Sequence, residues 1–450
     1  MTPQQAFRLP HFAQCHQQGQ ALIYGIFVLM GGLAALLFVF NTGQLTAEKT
    51  KLVNTADAVA YSAAVMQARA LNFDAYTNRA LMANEVMIAQ AVSIAAWSAH
   101  VVRHTENITP LNCRSYYSVP AALVLIDYIP VCYLLSLPTA RHTAQAVDQV
   151  AQANMAATIL PARKALMQQV ADANYAGDGS VRVDSMPITD TFTQFEGGSF
   201  IRAYAGAERG RFKQAARAAA HRDAFVQQRS WTSANHLPCL LGNKAEFRRR
   251  GGTELVDFDA WKAMDTASLH HWSWHTHGLF HLPTCDDDEM PLGYGAQAAA
   301  SGTPDDSGAA YGQSRADNPH ASGLASSSDW HYSGLPTFSD IAVPALAYAS
   351  TDPQPRLTFA IRLTRAKEQL RTSDGSSGIK PGGHLAIIDG KPAHDVLVAV
   401  ATAQVYFERP GGRDDGKTEL ASLFNPYWQV RLLSTSAADL AAATALGGAR

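Results

Sequence analysis

From Leu9 to Ala47 the chain carries no lysine, arginine, aspartate or glutamate, and within that stretch Ala21–Phe40 reads ALIYGIFVLMGGLAALLFVF. Apart from Tyr24, every residue of that segment is apolar or glycine. About 20 such residues, rising ~1.5 Å each, cross a ~30 Å hydrocarbon core as a helix. A secretory leader has a shorter apolar core and a small-x-small cleavage site after it, and this segment has neither. It is expected to remain as an anchor over 21–41, with residues 1–20 on the cytoplasmic side. A second apolar stretch, Val119–Leu137, contains Pro120, Pro130 and Asp127. Two prolines and a carboxylate suit a bilayer helix poorly, so one span is predicted.

Charge alone does not orient that span. Arg8 precedes it and Lys49 and Lys51 follow it, which gives the positive-inside rule almost nothing to act on. Cysteine placement says more. Cys15 lies before the span, whereas Cys113, Cys132, Cys239 and Cys285 lie after it, widely spaced and without CxxC. An even number on one side suits structural disulfides in an oxidising compartment, the alternative being buried free thiols. The most local pairing is Cys113–Cys132 and Cys239–Cys285, each loop worth roughly 3–4 kcal/mol when unstrained. With a net charge of −2 over 450 residues, no broad basic field is present to draw in nucleic acid.

Beyond the span no proline occurs before Pro110, and Leu45, Leu52, Ala56, Val59, Ala63, Met66 and Ala70 recur near every 3.5 residues. This spacing predicts one stripe of a helix leaving the membrane, with a break at Asn72 and Asp74 and a renewal from Leu81 through Ile88, Val92 and Ala95. Small residues on the stripe permit close approach, either by a helical hairpin of the same chain or by another subunit. A further helical region is expected from about Thr139 to Asn174. From about 177 the character changes. Leu357, Phe359, Ile361 and Leu363 alternate with polar or small residues, Val396–Phe407 is a longer strand candidate, and Trp428, Val430 and Leu432 alternate again. The Gly-, Ala-, Ser- and Asp-rich stretch at about 300–328 reads as a mobile surface loop.

Three motifs invite chemistry. Gly411, Gly416, Lys417 and Thr418 satisfy the phosphate-loop pattern, but Asp414 and Asp415 stand inside the cradle and Pro426 follows too soon for a supporting helix. A hairpin loop is the better reading. His270, His271, His275, His277 and His281 form the densest run of possible metal ligands, with Cys285, Asp286, Asp287, Asp288 and Glu289 close behind. No HExxH or HxxEH accompanies them, and a polar aromatic surface strand explains them as well. Arg248, Arg249 and Arg250 before Gly251-Gly252 read as a solvated turn. Asp374, Ser376 and Gly378 fall short of the D-x-S-x-S metal motif at its last position.

The N-terminal block resembles the TadG-like proteins of Flp (Tad) pilus assembly. The marks are Gly19-Gln20-Ala21 opening the span, Asn41-Thr42-Gly43-Gln44 closing it, and Asn54-Thr55-Ala56-Asp57-Ala58 beyond. The ending ELASLFNPYWQVRL is similar to that of long members. The resemblance implies an inner-membrane anchor in a Gram-negative bacterium, a periplasmic body and a part in assembling a type IV-like pilus. In pilin-like members a glutamate stands five residues after the cleavage-site glycine. Here that position is Tyr24, so trimming after Gly19 is not expected.

The whole predicts an α+β protein with an N-terminal transmembrane helix (21–41), a helical stalk (42–176) and a mixed α+β periplasmic body (177–450). Its expected role is structural: a non-enzymatic, single-pass pilus-assembly component contacting other subunits through Leu52, Ala56, Val59, Ala63, Met66 and Ala70. No cofactor, nucleic acid or small-molecule substrate is expected. The alternative is an anchored periplasmic metal-binding protein or hydrolase using the His270–His281 cluster.

Overall fold

The computed structural model describes residues 18–107, 158, 161–192, 200–234, 239, 244–275, 284–301, 312–327, 329–342, 355–366, 369–370 and 396–448. Cys113, Cys132, the Val119–Leu137 stretch, His277, His281 and the Asp374–Gly378 run lie outside them.

One helix organises everything else. Helix α1 runs unbroken from Gln18 to Asn107, about 135 Å at 1.5 Å per residue. The expected break at Asn72 and Asp74 is absent, because both residues are used by the fold. Asp74 is fully buried, and Asn72 exchanges two 3.0 Å hydrogen bonds with the backbone of Trp428. Most of the stability of a protein helix comes from tertiary packing of one face, and α1 is packed in this way beyond Asn41. The buried residues keep helical spacing: Leu52, Ala56, Val59, Ala63, Leu71, Asn78, Leu81, Glu85, Ile88, Val92 and Ala96.

Two antiparallel-built layers clasp this face in succession. Helix α2 (161–174) leads into strand β1 (Val181–Ser185). β1, β9 (Arg356–Ala366), β10 (Val396–Phe407) and β11 (Trp428–Leu433) form a four-stranded antiparallel sheet in that order. Its inner face supplies Leu357, Phe359, Ile361, Ala401, Ala403 and Val405 to a core shared with Leu52 to Leu71 of α1 and with Met167 and Ala171 of α2. Helix α6 (Ala437–Gly448) covers part of the outer face through Ala443.

The second layer is a five-stranded sheet, β3 (Arg229–Ala234), β4 (Lys244–Val256), β5 (Ala260–His275), β6 (Thr284–Ala300) and β7 (Asp329–His331), with β7 parallel to β6. It packs on α1 from Leu81 to Ala96 together with helix α3 (Gly210–Ala220). Between the layers, β2 (Ile201–Tyr204) pairs with β8 (Phe338–Ile341). Phe338 stacks with Tyr204 and Phe212 at 5.3 Å in the second core, while Ile341 belongs to the first. The two cores are thus stitched by one short strand.

Several residues depart from their expected setting. Arg248, Arg249 and Arg250 are not a turn but the middle of β4, where Arg248 pairs with Glu246 and Arg250 with Asp317. Gly251 is required there, because a Cβ would run into Asp265, whose buried carboxylate receives both Nη2 contacts of Arg229 at 2.7 Å. Part of the expected loop at 300–328 is two short helices, α4 (Gly312–Asp317) and α5 (Pro319–Leu324). Buried Asn318 between them accepts from or donates to His270, Thr266 and the Arg248 carbonyl. Cys239 and Cys285 are disulfide-bonded, fastening residue 239 to the start of β6.

Close approach of α1 to β6 rests on two glycines. A Cβ on Gly293 would lie 2.7 Å from His100 Cε1, and one on Gly295 would lie 2.5 Å from His100 N. Backbone atoms cannot give way, so Gly295→Val should lower the melting temperature markedly, by several degrees or more, while Gly411→Val, in open space, should leave it unchanged.

Asp74 supplies a pH test. Its carboxylate is wholly buried without a hydrogen-bond partner among the described residues, and burial pushes its pKa from 3.8 up to about 7. A raised carboxyl pKa means the folded state holds the proton more tightly than the unfolded chain. That stabilisation is complete below about pH 4 and is lost as the pH rises through 7, a swing on the order of 4 kcal/mol. Asp74→Asn should therefore melt higher than the parent at pH 8, the gap closing toward pH 4. An equal gap at both pH values would refute this assignment of the burial cost.

Candidate functional site

The site is the membrane-proximal half of α1 and the contacts that begin where the apolar segment ends. Ala21–Phe40 is almost entirely exposed: Leu22, Phe27 and Val39 are each 69% accessible and Tyr24 is 74%. This is the one helix among the described residues long and apolar enough to cross a membrane. In water such a surface would be strongly unfavourable, at roughly 25 cal/mol per Å² of apolar area. A hydrocarbon environment removes that cost, since the helix satisfies its own backbone.

Burial starts abruptly at Asn41. From the next residue on, Thr42, Thr46 and Thr50 turn their hydroxyls back onto the carbonyls four residues earlier, at 2.8–2.9 Å. The first attachment of the body follows at Glu48, which is buried and ion-paired with Arg365 of β9. Arg365 also lies 4.5 Å over the Tyr175 ring, with Lys51 at 4.1 Å from the same ring centroid. Lys49 donates to the Val398 carbonyl of β10. A cation–π pair sharing one tyrosine with a buried ion pair makes a compact latch, about 12 Å beyond Phe40 at 1.5 Å per residue.

Polar residues repeat this role along the helix. Asn78 Nδ2 donates to the carbonyls of Ser339 (2.7 Å) and Leu423 (2.5 Å). Glu85 accepts from Trp261 Nε1 at 2.8 Å and from the Tyr332 hydroxyl at 2.7 Å. Burial, reinforced by the Glu85 charge, holds the Tyr332 hydroxyl well above its ordinary range, so it stays a donor. His100 is pushed down to about 3 by burial and by the Arg249 charge, and remains neutral. Sequence spacing could flag these polar positions on the inward stripe, but not their partners, which lie some 175 to 345 positions away.

The predicted stripe is occupied within the chain. Leu52, Ala56, Val59 and Ala63 are fully buried in the first core, Ala70 is buried and Met66 is half-buried. The outward face of α1 instead carries Tyr61, Phe73, Tyr76 and Met87, each more than a third exposed. Between Arg79 and Arg103 its only Asp, Glu, Lys or Arg is Glu85, which points inward.

The other candidate motifs do not converge on a reaction centre. His270 is buried, with Nδ1 2.9 Å from Asp287 and Nε2 3.0 Å from Asn318, so its ring binds the β5–β6 pair to α5. His271, next on the strand, faces the other way and is exposed. Among the described residues no three His, Cys, Asp or Glu side chains gather as metal ligands. In the phosphate-loop pattern, Asp415 receives the Lys417 amide at 3.2 Å and Arg413 at 2.8 Å. Those Arg413 hydrogen bonds hold its carboxyl down at about 2, so an anion of the chain itself already occupies the turn. No helix follows the loop.

An apolar helix unclad at one end and sheathed by α+β layers at the other defines a membrane-anchored protein with an extramembrane body. Residues 19–68 match the Tad family model, described as Flp pilus-assembly TadE/G-like. The match takes in the exposed segment, the threonine turns and the helix as far as the first core. No curated protein and no solved structure matches the chain.

The latch gives a direct test. Removing one member of a buried ion pair costs ~3–5 kcal/mol. Arg365→Met should destabilise the full chain by that order in denaturant, and Glu48→Gln/Arg365→Met should recover part of the loss.

Proposed function

We propose that the chain is an inner-membrane-anchored assembly component of a Flp/Tad-type pilus system, acting through protein–protein contacts from a periplasmic body. The observation that carries this reading is the TadE/G-like match at residues 19–68, which coincides with the exposed apolar segment and its continuation into the body's core. The disulfide Cys239–Cys285 supports an oxidising compartment for the body. The role is structural, and the alternative metal-dependent reading finds no support in His270, which the β5–β6–α5 network already uses.

Contacts with other subunits have to use surface outside the core. Single cysteines at Tyr76, exposed, and at Ala63, fully buried, separate the cases in a background with Cys15 replaced. In native membranes Tyr76→Cys should cross-link to another pilus subunit and Ala63→Cys should not. Deleting the gene should abolish assembled Flp-type fibres seen by electron microscopy, and the full chain should restore them. Fibres at parental level in the deletion strain would remove the proposal. A periplasm-specific reporter fused after Arg450 should be active; activity only from a cytoplasmic reporter would reverse the topology.

A further inference from the structure

A cleft of about 710 Å³ lies on the outer face of the first sheet, away from α1. Val400, Thr402, Gln404 and Tyr406 alternate along β10 and so share that face. Helix α6 covers one end of it, packing on Val400 and accepting from Thr402 through Asp439. At the other end the floor is Tyr406, with Arg356 directly across on β9 and Arg431 beside it on β11. Residues 408–419, leading from β10 toward β11, form the wall.

Five cations line the cleft, Arg356, Arg409, Arg413, Lys417 and Arg431, against Glu408 and Glu419. The wall neutralises much of its own charge: Glu419 pairs with both Arg409 and Arg413, and Asp415 takes the other edge of Arg413. The floor does not. Arg431 directs Nε and Nη2 at the neutral Gln404 Oε1 (2.8 and 2.5 Å) and lies 4.7 Å from the Tyr406 ring centroid. Stacking and the amide fix this guanidinium in place and leave its Nη1 edge open, with no carboxylate paired to it among the described residues. The exposed Lys417 ammonium has no ion-pair partner among them either.

We propose that this cleft binds a carboxylate-bearing peptide segment of another protein, with Arg431 as the fixed bidentate donor and Lys417 as the second charge. A planar guanidinium held edge-on matches a carboxylate through two parallel hydrogen bonds, and charge-assisted bonds of this kind are about twice as strong as neutral ones. The volume admits several residues rather than one small ion. Glu408 and Glu419 also line the cleft, so an occupant has to place its carboxylates at Arg431 and Lys417 and away from them. The site rests on its own geometry and stands apart from the pilus reading.

The test measures fluorescence anisotropy of labelled hexaglutamate with the full chain in detergent micelles, using hexaglutamine as control. Hexaglutamate should bind, weaken with added salt, and lose about tenfold in affinity in Arg431→Gln and again in Lys417→Gln. Hexaglutamine should not bind. Lys417 is exposed on the loop, so its variant keeps the test valid if the Arg431 change unsettles the sheet; melting temperatures report this directly. Equal hexaglutamate affinity in Lys417→Gln and the parent overturns the proposal. So does equal binding of hexaglutamine, or a preference for inorganic polyphosphate or for a cell-wall muropeptide over hexaglutamate.

Discussion

Everything in this fold depends on burying one face of a single helix in two different solvents. Up to Phe40 the surroundings of α1 need only be apolar, because the helix closes its own hydrogen bonds. From Asn41 onward the same helix becomes the spine of a protein core, where shape and polar satisfaction both count. The inward face answers with two residue classes in alternation. Ala56, Ala60, Ala63 and Ala64 admit β9 and β10 closely, and Glu48, Asn78 and Glu85 reach out to fix what has approached.

Those polar residues decide register as well as stability. A sheet sliding along an alanine surface would meet little resistance, since small apolar contacts are similar at each step. Glu85 cannot slide: a displaced partner would strand a buried carboxylate, a penalty larger than the contact itself. The same holds for Asn78, whose amide bridges β8 and the Leu423 segment and so ties the first core to the second. Asp74, one turn before Asn78, has no such partner among the described residues, and it tolerates burial by keeping its proton near neutral pH.

How much of this was legible in the sequence follows from how each element is buried. The span was plain because twenty uncharged residues admit few other fates. Strands β9, β10 and β11 were legible because one face of their sheet is apolar core and the other carries mostly polar or small residues, which yields alternation. Strands β4 and β6 were not. Arg248 to Gly252 looks like a turn until Asp265 and Asp317, far along the chain, supply the counter-charges and the space. In β6, Pro291 argues against a strand, yet it sits at a register shift where Ser268 faces Pro291 and Ala267 faces Gly293. A bulge there accommodates a residue that has no amide to donate. The inward stripe has the period of a packing surface, but that period cannot say whether the partner is a helix, a sheet or another chain. Arg431 in the cleft carried no signal, being one of many arginines until Tyr406 and Gln404 are placed beside it.

Continuity of α1 also has a mechanical meaning. Beyond Phe40 the helix contains a single glycine, Gly43, and no proline, and the clasped portion to His104 measures about 95 Å. Kinks in long helices need an identifiable cause, and hydroxyls bonded back to the carbonyl four residues earlier are a mild one. Thr42, Thr46 and Thr50 do this in consecutive turns around Gly43, directly where lipid gives way to protein. Past Thr50 the sheets brace the helix on its inward side. Any compliance between membrane segment and body is therefore concentrated in those few turns. The Glu48–Arg365 pair and the Lys49–Val398 contact sit within them, so the body is held at the one place where the helix is most able to bend.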